Sequence, residues 1–166
     1  LKGLSRNETF SFYYPGTTIE PLTGKIRVLL TADTTPDLQV RAKDGLRVRR
    51  IGHARTLRLH GKSVKRWRVI ANGADSIVQK SNGRGWRYYK RLRGEVEFSS
   101  TKGPLILLTP SGPRAYRGTL RSVSAGPNRK RETVNRVGIE AYLRGVVPRE
   151  VPAEWEPDAV SAQSVA

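Results

Sequence analysis

The chain has 166 residues, enough for one domain with a buried core, and 31 Lys and Arg residues against 14 acidic ones give a net charge of +17. A hydrophobic fraction of 37% and a charged fraction of 27% exclude a disordered tail. The longest apolar run, Leu105 to Leu108, is far shorter than the roughly 20 residues of a membrane span. Because Cys is absent, a disulfide framework, a thiol nucleophile and a thiolate metal site are excluded. The chain begins with Leu and shows no signal peptide, so we expect a processed or excised piece.

The predicted elements begin with short strands from Lys25 to about Val123. Apolar residues alternate with polar ones, often Arg, which predicts strands with one buried and one solvated face. The predicted inward residues are Ile26, Val28 and Leu30; Leu38 and Val40; Leu46 and Val48; Leu57 and Leu59; Trp67 and Val69; Trp86 and Tyr88; and Val96 and Phe98. Turn residues separate the runs at Asn72-Gly73, Asn82-Gly83 and Lys102-Gly103-Pro104. Leu105 to Leu108 predicts a strand buried on both sides.

The period changes after Val137, where apolar residues at i, i+3, i+4 and i+7 predict a short helix that ends near Gly145. Its predicted apolar face consists of Ile139, Tyr142, Leu143 and Val146. Glu140 and Arg144 are expected to pair on its outer side. The segment from Pro148 to Pro152 cannot be helical throughout.

A second helix is predicted from Pro157, with Asp158 near its positive end. The sequence stops within this pattern at Ala166, so we expect the natural protein to continue. The predicted fold class is α+β, with a β-rich antiparallel N-terminal part followed by a short two-helix segment that carries the site loop.

The basic residues concentrate between Gln39 and Arg93, where 17 Lys and Arg residues face only two acidic ones, Asp44 and Asp75. This charge attracts polyanions, most strongly at low salt. Nucleic acid and the anionic bacterial wall are both candidates, and a merely solvated surface is the alternative. No recognition helix, zinc finger or RNA-binding aromatic strand is present, so we predict no specific nucleic-acid partner.

The last part of the chain carries a series of motifs. They are Tyr116-Arg-Gly118, Asn135, Glu140-Ala-Tyr142-Leu143-Arg-Gly145-Val-Val-Pro148-Arg-Glu150-Val-Pro152, and Ala159-Val-Ser-Ala162-Gln163-Ser-Val-Ala166. This series resembles the SpoIID/LytB family, named for stage II sporulation protein D and the amidase enhancer. We therefore predict a SpoIID-like domain over residues 25–166, truncated at its C-terminal end, after an N-terminal segment 1–24. That segment contains Phe12-Tyr13-Tyr14-Pro15-Gly16-Thr17, which resembles a family motif that commonly lies near the C-terminal end of the domain.

The resemblance implies work on peptidoglycan in a bacterial, extracellular or wall-associated location. Some relatives are lytic transglycosylases that cleave glycan strands lacking stem peptides to 1,6-anhydromuramic ends; others enhance a wall amidase without being enzymes. The family's catalytic acid corresponds to Glu150. We favour the enzyme, and the alternative is a non-catalytic wall-binding protein that enhances an amidase.

Elementary chemistry agrees with a single acid at this position. One carboxyl group can protonate the bridging oxygen and then accept the proton of the attacking C6 hydroxyl of muramic acid. Val147, Val151 and Trp155 can desolvate Glu150 and raise its pKa. The alternative is that Glu150 caps the second helix or pairs with Arg149.

The remaining candidates have structural alternatives. Tyr142, Gln163 and Arg149 are predicted to bind substrate, although Tyr142 can equally belong to the core. Glu140, Asn135, Pro148 and Pro152 are predicted to support the site. Trp86, Tyr88 and Tyr89 can stack on sugar rings or fill the core. His53 and His60 lack acidic or Cys companions, so we predict no metal site and no cofactor.

Overall fold

A computed structural model describes residues 8, 11–12, 15–16, 23–126 and 131–150 of the chain. The chain divides into two compact units, one of Ile26–Val137 and one of Leu1–Lys25 together with Gly138–Ala166. The boundary predicted from sequence motifs, between residues 1–24 and 25–166, stays a prediction.

The unit Ile26–Val137 is built from two six-stranded sheets. The first sheet has the order β1 (Lys25–Leu29), β12 (Arg131–Gly138), β11 (Thr119–Ser124), β8 (Val96–Ser100), β3 (Leu46–Arg50) and β4 (Thr56–Arg58). The second has the order β10 (Gly112–Tyr116), β9 (Leu105–Thr109), β2 (Leu38–Arg41), β5 (Arg66–Asn72), β6 (Asp75–Ser81) and β7 (Arg87–Leu92). The strand pairs with a defined register are antiparallel, which confirms the predicted β-rich antiparallel part.

One hydrophobic core joins the inner faces of the two sheets. The first sheet contributes Leu46, Val48, Val96, Phe98 and Leu120, and the second contributes Leu38, Val40, Trp67, Val69, Val78, Leu105 and Leu107. All of these side chains are buried, and most were predicted from the period-two alternation. Arginines alternate with them and lie on the outer faces, as the alternation predicts; examples are Arg47, Arg49 and Arg68.

The prediction that Trp86 and Tyr88 point inward is wrong. Tyr88 is 62% exposed, whereas Tyr89 packs edge-on against the buried Trp67 with ring centroids 4.9 Å apart. A register shift between Val78 and Gln79 of β6 alters which side chains of β7 point inward. The strand predicted at Leu105 to Leu108 exists, but only Leu105 and Leu107 are fully buried, because the outer face of β9 is partly open.

Strand β12 has an inner face that is largely polar. Thr133 donates to Asp33 at 2.6 Å, and Arg131 donates to the carbonyl oxygens of Ser122 and Asp75. These side chains are at most 8% exposed, and their hydrogen bonds offset the cost of burying polar groups. The absence of an apolar alternation explains why the sequence patterns did not predict this strand.

Helix α1 (Ile139–Glu150) directly follows β12, and the amide of Ile139 donates to the carbonyl of Gly24 at 3.3 Å. The helix is longer than predicted, because it continues from Gly145 through Pro148 to Glu150. The second predicted helix lies outside the described residues, so the two-helix segment is not confirmed. No helix in the described part of the chain is long and apolar enough to cross a membrane.

Candidate functional site

Two of the motif residues, Gly118 and Asn135, meet next to the turn between β10 and β11. Asn135 is 5% exposed, and its amide nitrogen donates to the carbonyl oxygens of Arg117 at 2.9 Å and Thr119 at 3.1 Å. The side chain therefore holds both residues that flank Gly118. The sequence predicts that Asn135 supports the site, and the hydrogen bonds of its side chain go to this turn.

Gly118 occupies a position that excludes any side chain. Its φ is +81°, a left-handed conformation that strongly favours glycine. A Cβ atom there would collide with the carbonyl oxygen of Arg136 and crowd the Cα of Val137, both part of the β12 backbone. The glycine of the Tyr116-Arg-Gly118 motif thus lets the turn approach the strand that precedes helix α1.

Helix α1 carries five of the predicted site residues. Glu140, in its first turn, is exposed, and Tyr142 is half-buried together with the rest of the predicted apolar face. A carboxylate in the first turn complements the positive end of the helix dipole. No ion pair joins Glu140 to Arg144 in the described part of the chain. Pro148, Arg149 and Glu150 are the last three described residues of the helix, so Glu150 lies in a helix and not in a loop.

Other predictions lie outside the described residues. These are the predictions for Tyr13, Tyr14, Thr17, Val151, Pro152, Trp155, Gln163 and the helix from Pro157. Within the described residues, Pro15 and Gly16 of the N-terminal motif form a turn, and no group of three or more His, Asp or Glu side chains could hold a metal ion.

Comparison with protein-family models finds a match in the C-terminal part of the chain. Residues 127–166 match the family SpoIID, described as Stage II sporulation protein. The predicted family resemblance is confirmed for this segment. No curated protein and no solved structure matches the chain. The matched residues, here called the SpoIID segment, include Asn135, the whole of helix α1 and Glu150.

The match links the SpoIID segment, residues 127–166, to a family with a sporulation- or cell-wall-related role. Within the described residues, the SpoIID segment begins with β12, whose hydrogen bonds anchor it in the first sheet, and continues directly into helix α1. Asn135 and the Gly118 turn are held together where β12 pairs with β11. This clustering was not predictable from sequence, because Gly118 and Asn135 are brought together only by the pairing of β11 with β12.

A charged cluster that the sequence did not indicate lies on the outer face of the first sheet. Glu97 is fully buried, with Arg49 and Arg121 directly opposite it on the two neighbouring strands. Arg49 donates to one carboxylate oxygen at 2.6 Å and Arg121 to the other at 2.8 Å. Burial raises the pKa of Glu97, but the hydrogen bonds from the two arginines outweigh it, so the pKa lies below its ordinary value.

A second arrangement of arginines lies on the outer face of the second sheet. The guanidinium groups of Arg66 and Arg68 stack on the ring of Trp86, at 4.9 Å and 4.3 Å from its centroid. Arg68 also pairs with Asp37 at 3.2 Å. Trp86 is thus covered by cations of its own chain, and the exposed Tyr88 is the better candidate for stacking on a sugar ring.

Proposed function

We propose that this protein acts on bacterial peptidoglycan as a lytic transglycosylase, with Glu150 as its acid and base. The proposal is carried by one observation, the match of residues 127–166 to the SpoIID family, because this segment contains the motif Val147-Pro148-Arg149-Glu150. Glu150 protonates the glycosidic oxygen as the bond to the muramic acid anomeric carbon breaks. The C6 hydroxyl of the same sugar attacks that carbon and gives its proton to the Glu150 carboxylate, which closes a 1,6-anhydro ring.

The single carboxyl group of Glu150 is enough for this reaction, because it acts first as the acid and then as the base. A lytic transglycosylase needs no second carboxylate, since the substrate supplies its own nucleophile.

The other motif residues have proposed roles around this acid. Tyr142 and Arg149 lie on the same helix as Glu150, and with Gln163 they are proposed to bind the glycan. Glu140 and Asn135 are proposed to fix the start of the helix and the strand before it. Pro148 and Pro152 restrict the backbone on either side of Glu150.

The net charge of +17 supports the proposal that the protein acts on a negatively charged substrate outside the cell. A strongly basic protein concentrates at the anionic wall by long-range attraction. We therefore propose a wall-associated location in a bacterium, outside the cell membrane.

The test is digestion of purified, peptide-free glycan strands, with 1,6-anhydromuramic ends detected by mass spectrometry. We expect the purified protein to produce these ends, and Glu150→Gln to reduce their rate of formation by at least 1000-fold, about 4 kcal/mol in the barrier. Glu132→Gln is the matched control, because Glu132 lies in the same SpoIID segment but is exposed on β12. Full activity of Glu150→Gln would reject the assignment of Glu150 as the acid and base. Absence of 1,6-anhydromuramic ends with the unaltered protein and with every variant would reject the proposal that the protein is a lytic transglycosylase.

A second function, enhancement of a wall amidase by glycan binding, is favoured by a different observation. Several arginines of the unit Ile26–Val137, such as Arg47 and Arg58, have no ion-pair partner among the described residues. Peptide release from sacculi by a purified amidase would be measured with and without this protein. Acceleration that persists in Glu150→Gln would support the enhancer.

A further inference from the structure

A groove with a volume of about 890 Å³ opens within the unit Ile26–Val137, beside the edge strand β4. Its walls include the loop between β2 and β3, the strands β3 and β4, and the loop between β4 and β5. Leu46, Leu59 and Trp67 contribute to its lining, but they belong to the core and are at most 4% exposed. A ligand in the groove therefore meets the charged side chains of the walls rather than an apolar surface.

Two arginines of the groove face each other without a counter-ion. Arg47 on β3 and Arg58 on β4 both line it and are direct cross-strand neighbours. Neither makes a side-chain hydrogen bond or ion pair within the described residues. Like charges in this position destabilise a strand pair. The register of the strands keeps the two cations together, and a bound anion would relieve their repulsion.

The same sheet contains a matching position at which the protein does supply the counter-ion. Strand β8 places Glu97 opposite Arg49, and its carboxylate accepts hydrogen bonds from Arg49 and Arg121. Two residues further along β8, on the same face of the sheet, the residue opposite Arg47 is Ser99. A serine hydroxyl carries no charge, so the fold provides a carboxylate for Arg49 and none for Arg47.

The other charged residues of the lining do not neutralise the arginine pair. Lys43 and Lys62 also line the groove, and Lys43 donates to the carbonyl oxygen of Pro104 at 2.8 Å. The acidic residue of the lining is Asp44, whose side chain is 90% exposed and lies 3.8 Å from the amine of Lys102. Asp44 is therefore directed to solvent and to another lysine, and the groove keeps a net positive charge.

The charge of the arginine pair favours an anion with two negative charges. The energy of two interacting charges is proportional to their product, so a dianion is attracted more strongly than a carboxylate at the same distance. Glu97 holds two arginines with one charge because it is part of the chain, whereas a free ligand loses translational and rotational freedom on binding. A phosphate monoester carries a charge of about −1.5 to −2 near pH 7 and three acceptor oxygens, which arginine binds through paired hydrogen bonds.

We propose that the groove is a phosphate site, in which one doubly charged phosphate group lies between Arg47 and Arg58 and accepts hydrogen bonds from both. The group is either free phosphate or the terminal phosphate of a larger molecule, because the volume of the groove lies within the range of about 300–1,000 Å³ that is typical of pockets for organic ligands. Lys43 and Lys62 add to the attraction from the walls. The site does not require the proposed cleavage by Glu150.

Isothermal titration calorimetry of the whole chain at slightly alkaline pH and moderate ionic strength tests the proposal with three probes. Inorganic phosphate and glycerol 3-phosphate are dianions under these conditions, whereas diethyl phosphate has the same tetrahedral group with one charge. We expect each dianion to bind at least tenfold more tightly than diethyl phosphate. Equal binding of the two dianions assigns the site to the phosphate group as such, and a preference for one of them shows whether the group is free or esterified.

Two kinds of variant locate the site. Arg47→Gln combined with Arg58→Gln removes both cations and should weaken the binding of inorganic phosphate at least tenfold. Ser99→Glu places a carboxylate opposite Arg47, as Glu97 lies opposite Arg49, and should weaken the binding to a similar extent because this carboxylate competes with the ligand. Circular dichroism checks that each variant is folded. Ser99→Glu keeps both arginines, so its effect does not depend on the loss of their packing.

Matched controls change the charge by the same amount elsewhere. Arg84→Gln combined with Arg87→Gln removes two exposed cations that do not line the groove, and Ser124→Glu adds a carboxylate at an exposed position of β11. Each control should weaken phosphate binding less than threefold. The amide resonances of Gly45 and Gly61, which line the groove, should shift on titration of the unaltered protein with inorganic phosphate.

Four results would overturn the proposal. They are no binding of either dianion, binding of diethyl phosphate as tight as that of inorganic phosphate, equal losses in the groove variants and their controls, and unchanged phosphate binding in Ser99→Glu. The cleavage assay is independent of this outcome. Phosphate binding without 1,6-anhydromuramic ends would reject the transglycosylase and keep the groove site, and cleavage without phosphate binding would do the reverse.

Discussion

Two arginines of strand β3, Arg47 and Arg49, lie on the same face of the first sheet but in opposite electrostatic surroundings. Arg49 faces Glu97, which it shares with Arg121, whereas Arg47 faces Arg58. The first arrangement neutralises charge inside the protein, and the second leaves it available to a ligand. In a chain with 31 basic and 14 acidic residues, the positions of the few carboxylates decide which arginines stabilise the fold.

The largest expected effect is on the neutralised cluster. Glu97→Gln removes the carboxylate that accepts hydrogen bonds from Arg49 and Arg121, and leaves two guanidinium groups facing each other across β8. Because Arg121 is only 13% exposed, we expect a loss of about 3 kcal/mol in the free energy of unfolding. The midpoint of thermal unfolding should fall by roughly 10 °C.

The matched control for Glu97→Gln is Glu132→Gln, which removes an exposed carboxylate on β12 and should change stability by less than about 0.5 kcal/mol. Thermal unfolding of the unaltered protein, Glu97→Gln and Glu132→Gln, followed by circular dichroism, makes the comparison. Equal melting temperatures would show that the buried cluster does not hold the first sheet together.

A smaller effect is expected in the dependence of stability on pH. The pKa of Glu97 is below its ordinary value of 4.5 in the folded protein, because the arginine hydrogen bonds outweigh burial. The unfolded chain therefore binds a proton before the folded protein does, and the stability that Glu97 contributes is present above pH 4.5 and lost as the pH falls through the folded-state pKa.

Urea unfolding between neutral pH and acid would test this dependence. The protein with Glu97 should lose stability below pH 4.5 more steeply than Glu97→Gln. A residual slope in the variant is expected from Asp75, whose pKa is lowered by hydrogen bonds from Arg91 and the Gly94 amide. Parallel curves for the two proteins would contradict the assignment of the acid dependence to Glu97.

The sequence predicted the core strands well, because the alternation of Leu46 with Val48 or of Val96 with Phe98 follows directly from the period of a strand. It failed at β7 and β12 for physical reasons. The register shift beside Tyr89 breaks the alternation, and the inward positions of β12 are filled by polar residues such as Thr133. A search for alternating apolar residues cannot find a strand whose buried side chains are polar and hydrogen-bonded.

The candidate site was predictable only where its residues are close in sequence. The motif around Glu150 is contiguous, and the resemblance confirmed for residues 127–166 was visible in it. The contact of Asn135 with the Gly118 turn depends on strand pairing, as does the placement of Arg47 opposite Arg58. Glu97 gave no signal, because acidic residues close to arginines, such as Glu95 and Glu97 after Arg93, are typical of a solvated surface.

The smallest expected effect distinguishes the two arginines of β3 directly. Arg49→Gln breaks charged hydrogen bonds to Glu97 and should cost about 1.5 kcal/mol, since Arg49 is itself 36% exposed on its side chain. Arg47→Gln relieves the repulsion from Arg58 and should stabilise the protein by up to about 0.5 kcal/mol.

The gain from Arg47→Gln should shrink as salt is added, because the repulsion between Arg47 and Arg58 is screened in the open groove. Urea unfolding of both single variants at low and moderate ionic strength measures the two effects on one strand. A cost for Arg47→Gln as large as that for Arg49→Gln would show that Arg47 stabilises the sheet. Its charge would then not be free for a ligand, whereas a gain would mean that the groove keeps Arg47 despite a cost to the fold.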